Sequence, residues 1–200
     1  MKIHDVIQRS DEWFTLHQQY PLTSSKAQAI GNNGKGLKTL VLSKLSERYS
    51  TADKEYFSNK DTDRGNELES QARSIYEFET GNKVQEVGFI TSTKISKVAG
   101  ASTDGLVNKD GVLEIKCFDD TKHFDYIVYG LTVDSEYQWQ CQMELLITGR
   151  EWVDFAAYNP NFKQSLLVVR VYEDEEMRAK LKEGLKTGEE LIKEIEAKLK

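Results

Sequence analysis

The order of hydrophobic periodicities predicts a mixed α/β domain built on a central β-sheet flanked by helices. Three observations carry this. Apolar spacing is helical up to Gly81, it turns strand-like from Val84 to Phe118, and it then runs helix, two strands, helix to the C-terminus. The chain has 200 residues, of which 38% are hydrophobic and 30% charged, with only two prolines, so it suits one compact domain and not a disordered segment. We expect a single domain over 1–200, with N-terminal helices over 10–49, a core over 64–172 and an amphipathic C-terminal helix over 173–200.

The elements follow in order. "SDEWFTLHQQYP" starts as a helix capped by Ser10 or Asp11, with Trp13 and Leu16 on its apolar edge and Pro21 as its stop. "TSSKAQAIG" suggests a second short helix, and "GNNGKG" (31–36) a flexible loop. Leu37, Leu40, Val41 and Leu45 predict a helix to Tyr49, and residues 50–63 a polar loop. "DRGNELESQARSIYEFETG" reads as a strong helix. Its apolar face carries Leu68, Ala72, Ile75 and Tyr76, with Glu79 at the end of the face and Gly81 as C-cap. "VQEVGFI", "KVAGASTDGLV" and "GVLEIKCF" read as a three-strand meander, the last two joined by a tight turn at Asp110-Gly111. Ser135 to Gly149 is a capped helix, "WVDFAAYN" and "SLLVVRVY" are strands, and Met177, Leu181, Leu185, Ile192, Ile195 and Leu199 mark the last helix.

No apolar run approaches the ~18 residues of a membrane span. The N-terminus lacks an apolar signal core, which predicts a cytoplasmic protein without membrane contact. Cys117 and Cys141 lack metal-ligand spacing and are expected as lone buried thiols. The net charge of −6 argues mildly against nucleic acid, although overall charge says little about one face.

Chemistry concentrates in the meander. Asp104 precedes the turn; Glu114 and Lys116 follow it and point to one strand face. The hairpin brings Asp104 next to Glu114, and two buried carboxylates repel unless a cation joins them. Hard oxygen donors suit Mg²⁺, for which Mn²⁺ can substitute. The backbone carbonyl of Ile115 is a further ligand candidate, and Lys116 would sit beside a metal-bound water. The plain alternative is a surface strand with a Glu–Lys pair.

The pattern Asp104-x9-Glu114-x-Lys116 resembles the PD-(D/E)xK nuclease superfamily. With "EWFTL…TSSK", "RGNELESQARSIYEFETG", "STDGLV…LEIKC" and "EYQWQCQME" in that order, residues 8–160 resemble the YqaJ-type viral recombinase (λ phage exonuclease) family. The resemblance implies a restriction-endonuclease-like core. It assigns Asp104, Glu114 and the Ile115 carbonyl to metal binding, Lys116 to catalysis, and Glu69 to a second metal, with Glu67 as competitor on nearly the opposite side of its helix. Gln140 would hydrogen-bond near the scissile phosphate or the lysine, with Tyr137 beside it. The family's arginine and serine on the DNA 5′-phosphate fall on His17 and Ser25, so an always-charged guanidinium is replaced by a partly charged imidazole, with Lys26 as a further contact. Phe118 stands where the family often has proline. Trp13 is either a DNA-stacking or a core residue, and Tyr137 and Gln140 could equally pack and cap their helix.

The resemblance further implies a Mg²⁺-dependent 5′-to-3′ exonuclease on double-stranded DNA ends. It would leave 3′ single-stranded tails for phage-type recombination, work as a homotrimeric ring and partner a single-strand annealing protein. A ring accommodates the acidic balance, because basic residues need only line the channel. The alternatives are an endonuclease or single-strand-directed nuclease of the same superfamily, or an inactive DNA-binding or assembly module on the nuclease fold.

Overall fold

The computed structural model describes residues 1–51 and 60–199, with side chains in the fourth helix described from residue 67 onward. The elements are β1 (Lys2–His4), α1 (Asp11–Gln19), β2 (Leu22–Thr23), α2 (Ala27–Asn32), α3 (Lys35–Tyr49), α4 (Lys60–Thr80), β3 (Val84–Gln85), β4 (Phe89–Thr91), β5 (Ala99–Ala101), β6 (Gly105–Val107), β7 (Gly111–Cys117), α5 (Asp120–Tyr129), α6 (Ser135–Thr148), β8 (Trp152–Tyr158), β9 (Leu166–Tyr172) and α7 (Glu175–Lys198). A 3₁₀ turn, Ser24–Lys26, links β2 to α2. No helix among the described residues is long and apolar enough to cross a membrane.

The mixed α/β class holds, but the strands form two mixed sheets instead of one: β1-β4-β5-β2 and β3-β6-β7-β8-β9. The runs expected as two long strands each break. "VQEVGFI" bends at Gly88, where any Cβ would strike the Val6 carbonyl oxygen, and its halves enter different sheets. The "KVAGASTDGLV" run breaks at 102–104, so β5 and β6 also separate. β7 lies centrally in the larger sheet, antiparallel to β6 and parallel to β8. Alternation along β7 divides two cores. Val112 joins Val153, Phe155 and the residues of α6 and α7. Leu113 and Ile115 join Ala72 and Tyr76 of α4 on the other face.

Other differences have local causes. β1 and β2 are only three and two residues long, too short to show a period, and α5 lacks a clean apolar stripe yet starts on an Asp119 cap that accepts the Lys122 N–H. The β6–β7 turn is 108–110, with Asn108 at φ 45°, and Gly111 is already in β7. The expected loop at 31–36 shrinks to Asn33 and Gly34, because α2 runs on to Asn32. Gly31 is used for close packing: a Cβ there would lie 2.2 Å from the Trp139 ring. Of the loop expected over 50–63, residues 52–59 lie outside the described residues, and α4 starts at Lys60. Glu79 is exposed, and so is Leu199; Cys141 is buried while Cys117 is half-buried, and neither forms a disulfide.

α7 closes the core through Leu181, Leu185 and Ile192, and meets α2 at Gly184. A Cβ at Gly184 would sit 1.9 Å from the Ile30 carbonyl oxygen, a backbone atom that moves only if the helices part. Gly184→Ala is therefore expected to lower stability by about 1–3 kcal/mol, read as a lower urea midpoint at unchanged m value.

Candidate active site

The site forms where β6 ends and β7 continues. Pairing begins at Gly105↔Leu113, so residues 114–117 extend past β6. Asp104 occupies the junction. Its N–H donates to the Leu113 carbonyl at 3.1 Å, and its Oδ2 accepts the Ile115 N–H at 2.5 Å. In a strand the N–H and C=O of one residue point to the same edge, so the Ile115 carbonyl also faces the Asp104 side.

Glu114 and Lys116 share the face covered by α6, their Oε1 and Nζ 2.7 Å apart. From α6, Gln140 Nε2 donates to Glu114 Oε1 at 2.6 Å and to Glu144 Oε1 at 3.0 Å. Tyr137, one turn earlier, holds its ring 5.1 Å from Lys116 Nζ and stacks on Phe155. Glu69 arrives from α4, while Glu67 is exposed. Arg73 binds Glu69 Oε1 at 2.8 Å, the Asp104 carbonyl at 3.2 Å and Glu86 at 2.9 Å.

These acids are crowded beyond what their cations neutralise. Burial, then the charges of Glu114 and Glu69, push the Asp104 carboxyl well above the usual range. Burial also raises Glu69, with Arg73 and Arg9 opposing and Glu114 adding. Burial followed by Glu114 raises Glu144. Burial would lower Lys116, but Glu114 and Asp104 outweigh it and keep the ammonium charged. Glu114 Oε2 is buried without a hydrogen-bond partner among the described residues. Excess carboxylate, an orphaned buried oxygen and an edge carbonyl form a hard-oxygen donor set that fits a divalent cation. Among the described residues no group of three or more His, Cys, Asp or Glu side chains is placed to hold a metal ion by itself. A Mg²⁺-type ion, which keeps several waters, does not require one.

The N-terminal candidates lie on α1 and on the turn after β2. Trp13 Nε1 donates to Ser102 Oγ at 2.9 Å, two residues before Asp104. His17 packs against Trp13, with ring centroids 3.6 Å apart, and against Phe89, and its Nε2 lies 3.3 Å from Ser102 Oγ. Burial, helped by the charge of Lys44, pushes His17 down to about 4. The imidazole is thus neutral at pH 7 and engaged in packing, a poor replacement for arginine. Ser25 and Lys26 are exposed on the 3₁₀ turn after β2, which pairs with β5.

Sequence reasoning missed Arg73 and Glu144. Both stand four residues from an expected site residue, Glu69 and Gln140, and that spacing was the available signal. Gln142 serves structure: it donates to the Tyr172 carbonyl and accepts the Asp174 N–H, tying β9 to α7.

Residues 12–151 match the YqaJ-like viral recombinase domain. The chain belongs to this family. Over the recombinase domain the match spans both acids of the β-hairpin, Glu69 and the α6 glutamine. Among solved structures, an alkaline exonuclease (LHK-Exo) from Laribacter hongkongensis is similar with a TM-score of 0.79 and 29% identity, covering 95% of this chain and 98% of that one. The same exonuclease in complex with dAMP is similar with a TM-score of 0.79 and 30% identity, at the same coverage. A phage related exonuclease from Haemophilus somnus 129PT has the same fold, with a TM-score of 0.65 and 16% identity over 90% of this chain and 96% of that one. No curated protein matches the chain significantly.

The state of His17 generates a prediction. Between pH 6.5 and about 4 the unfolded chain binds a proton there that the folded chain does not. Stability therefore falls as pH drops through that window, by on the order of 2 kcal/mol from this residue. His17→Phe, which keeps a ring in the stack, is expected to flatten that part of the pH dependence in urea unfolding at pH 7, 5.5 and 4.5.

Proposed function

We propose that the chain is a divalent-metal-dependent DNA exonuclease that degrades double-stranded DNA from 5′ ends and leaves 3′ single-stranded tails. The observation that carries this reading is the junction itself, where Asp104, Glu114, Lys116 and Glu69 meet at one open sheet edge. The likeness to an alkaline exonuclease solved with dAMP, a deoxynucleoside monophosphate, supports stepwise release of single nucleotides.

Asp104, Glu114 and the Ile115 carbonyl would hold Mg²⁺, or Mn²⁺ in its place, with Glu69 as ligand for a second ion. The ion would supply Lewis-acid polarisation and an acidified water. The protein's own groups do the rest. The Ile115 N–H fixes the carboxylate of Asp104, and Gln140 fixes that of Glu114. Lys116, held by Glu114, presents an ammonium that orients the attacking water and stabilises charge building on the phosphate oxygens. Tyr137 limits the swing of the lysine. Trp13, Ser25 and Lys26 extend the edge toward the DNA; with His17 neutral and packed, Lys26 is the stronger phosphate contact of that group. We extend the reading to a trimeric ring around duplex DNA, a single-strand annealing protein as partner and a phage- or prophage-encoded role in the bacterial cytoplasm.

Linear duplex, covalently closed circle and linear single strand, each incubated with Mg²⁺, test the reading. Loss of linear duplex from phosphorylated 5′ ends is the expected result. Cutting of the closed circle would point to an endonuclease, and no hydrolysis with either Mg²⁺ or Mn²⁺ would sink the enzyme reading. Lys116→Ala is expected to lower kcat by roughly 10²-fold or more while DNA binding persists, measured by single-turnover kinetics.

A further inference from the structure

A cavity of about 300 Å³ adjoins the site, lined by residues 5–9, Glu69, Arg73, Glu86, Val87, Gly88 and Asp104. That volume lies at the small end of ligand pockets and admits one nucleotide unit, not a duplex. Of the two cations lining it, Arg73 is occupied by Glu69, Glu86 and the Asp104 carbonyl. Arg9 is exposed, and among the described residues it makes no ion pair, although its charge reaches Glu69. Its segment is pinned: Gln8 Nε2 donates to the Val87 and Thr103 carbonyls, at 3.0 and 2.9 Å, beside Asp104. Arg9 itself adopts φ 67°, a left-handed conformation that glycine takes far more readily. An arginine placed where glycine would relieve strain calls for a use of its side chain.

We propose that Arg9 binds a phosphate of the terminal nucleotide drawn into this cavity, and so supplies the fixed cation that His17 does not. The proposal rests on the exonuclease reading above. An anionic DNA end must approach Asp5, Glu69, Glu86 and Asp104, all of which line the same cavity. A bound divalent ion offsets the inner acids, and the guanidinium offsets the outer ones while gripping phosphate oxygens through two N–H groups.

The experiment compares wild type with Arg9→Gly, Arg9→Gln and Arg9→Lys. Affinity for a 5′-phosphorylated duplex is measured with Ca²⁺ in place of Mg²⁺ across a salt series, and KM and kcat are measured with Mg²⁺. Arg9→Gly and Arg9→Gln are expected to weaken binding and raise KM about tenfold or more with a smaller change in kcat. The slope of log affinity against log salt should become shallower by about one, and Arg9→Lys should recover part of the loss. The Tm of Arg9→Gly should stay level or rise, since the backbone strain is relieved. If both charge-removing variants keep wild-type affinity and salt slope while the wild type digests DNA, this inference alone is overturned. If the wild type neither binds nor cleaves DNA, the exonuclease reading is overturned and this inference with it.

Discussion

The hydrogen bond from the Ile115 N–H to Asp104 Oδ2, 2.5 Å, is the constraint on which the rest of the site depends. β6 stops pairing at Gly105, so the edge of β7 beyond Leu113 would otherwise leave backbone groups without strand partners. The Asp104 side chain takes the place of the next strand residue. In doing so it becomes an ordered carboxylate where β7 extends past β6. Glu69 can then approach from the α4 side while Glu114 and Lys116 are held from the α6 side.

That arrangement is electrostatically strained by construction. Burial and neighbouring acids raise Asp104 and Glu144 well above the usual carboxylate range, while Arg73 is shared by Glu69 and Glu86 and Lys116 is paired with Glu114. Buried charges of this kind persist only where hydrogen bonds or a cation compensate them. Gln140 supplies part of that compensation by bridging Glu114 and Glu144, which also restricts Glu114 to one orientation. Asp154, away from the site, is by contrast satisfied: this buried carboxylate accepts both Arg170 and the Tyr76 hydroxyl, so it holds α4 to the sheet without leaving an oxygen unpaired. One sheet thus carries a closed polar network at Asp154 and an open one at Glu114.

Long elements were legible in the sequence: α3, α4 and α7 bury most of the stripe their spacing announces, α6 is read from its bounds, and β8 and β9 read as strands. The Asp104, Glu114 and Lys116 trio was legible too, because alternation and a short hairpin dictate which side chains meet. The break of the meander into two sheets was not. It turns on Gly88 and Val6, and on pairing with β1 and β2, partners remote in sequence and too short to carry a pattern. Glu144 was hidden because helix α6 is buried nearly all round, so no polar face marks where the site lies.

The sequence by itself determined the mixed α/β class and the hairpin trio, since these follow from local periodicity and from residues a few positions apart, and its ordered motif blocks carry the resemblance to the family. Only the tertiary structure decided how the neighbouring charges are shared. It packed His17 half-buried against Trp13 and Phe89, which lowers the imidazole's pKa, and it brought Arg9 and Arg73 to the cavity beside Asp104. Burial and charge proximity depend on which distant segments pack together, and no spacing along the chain encodes them.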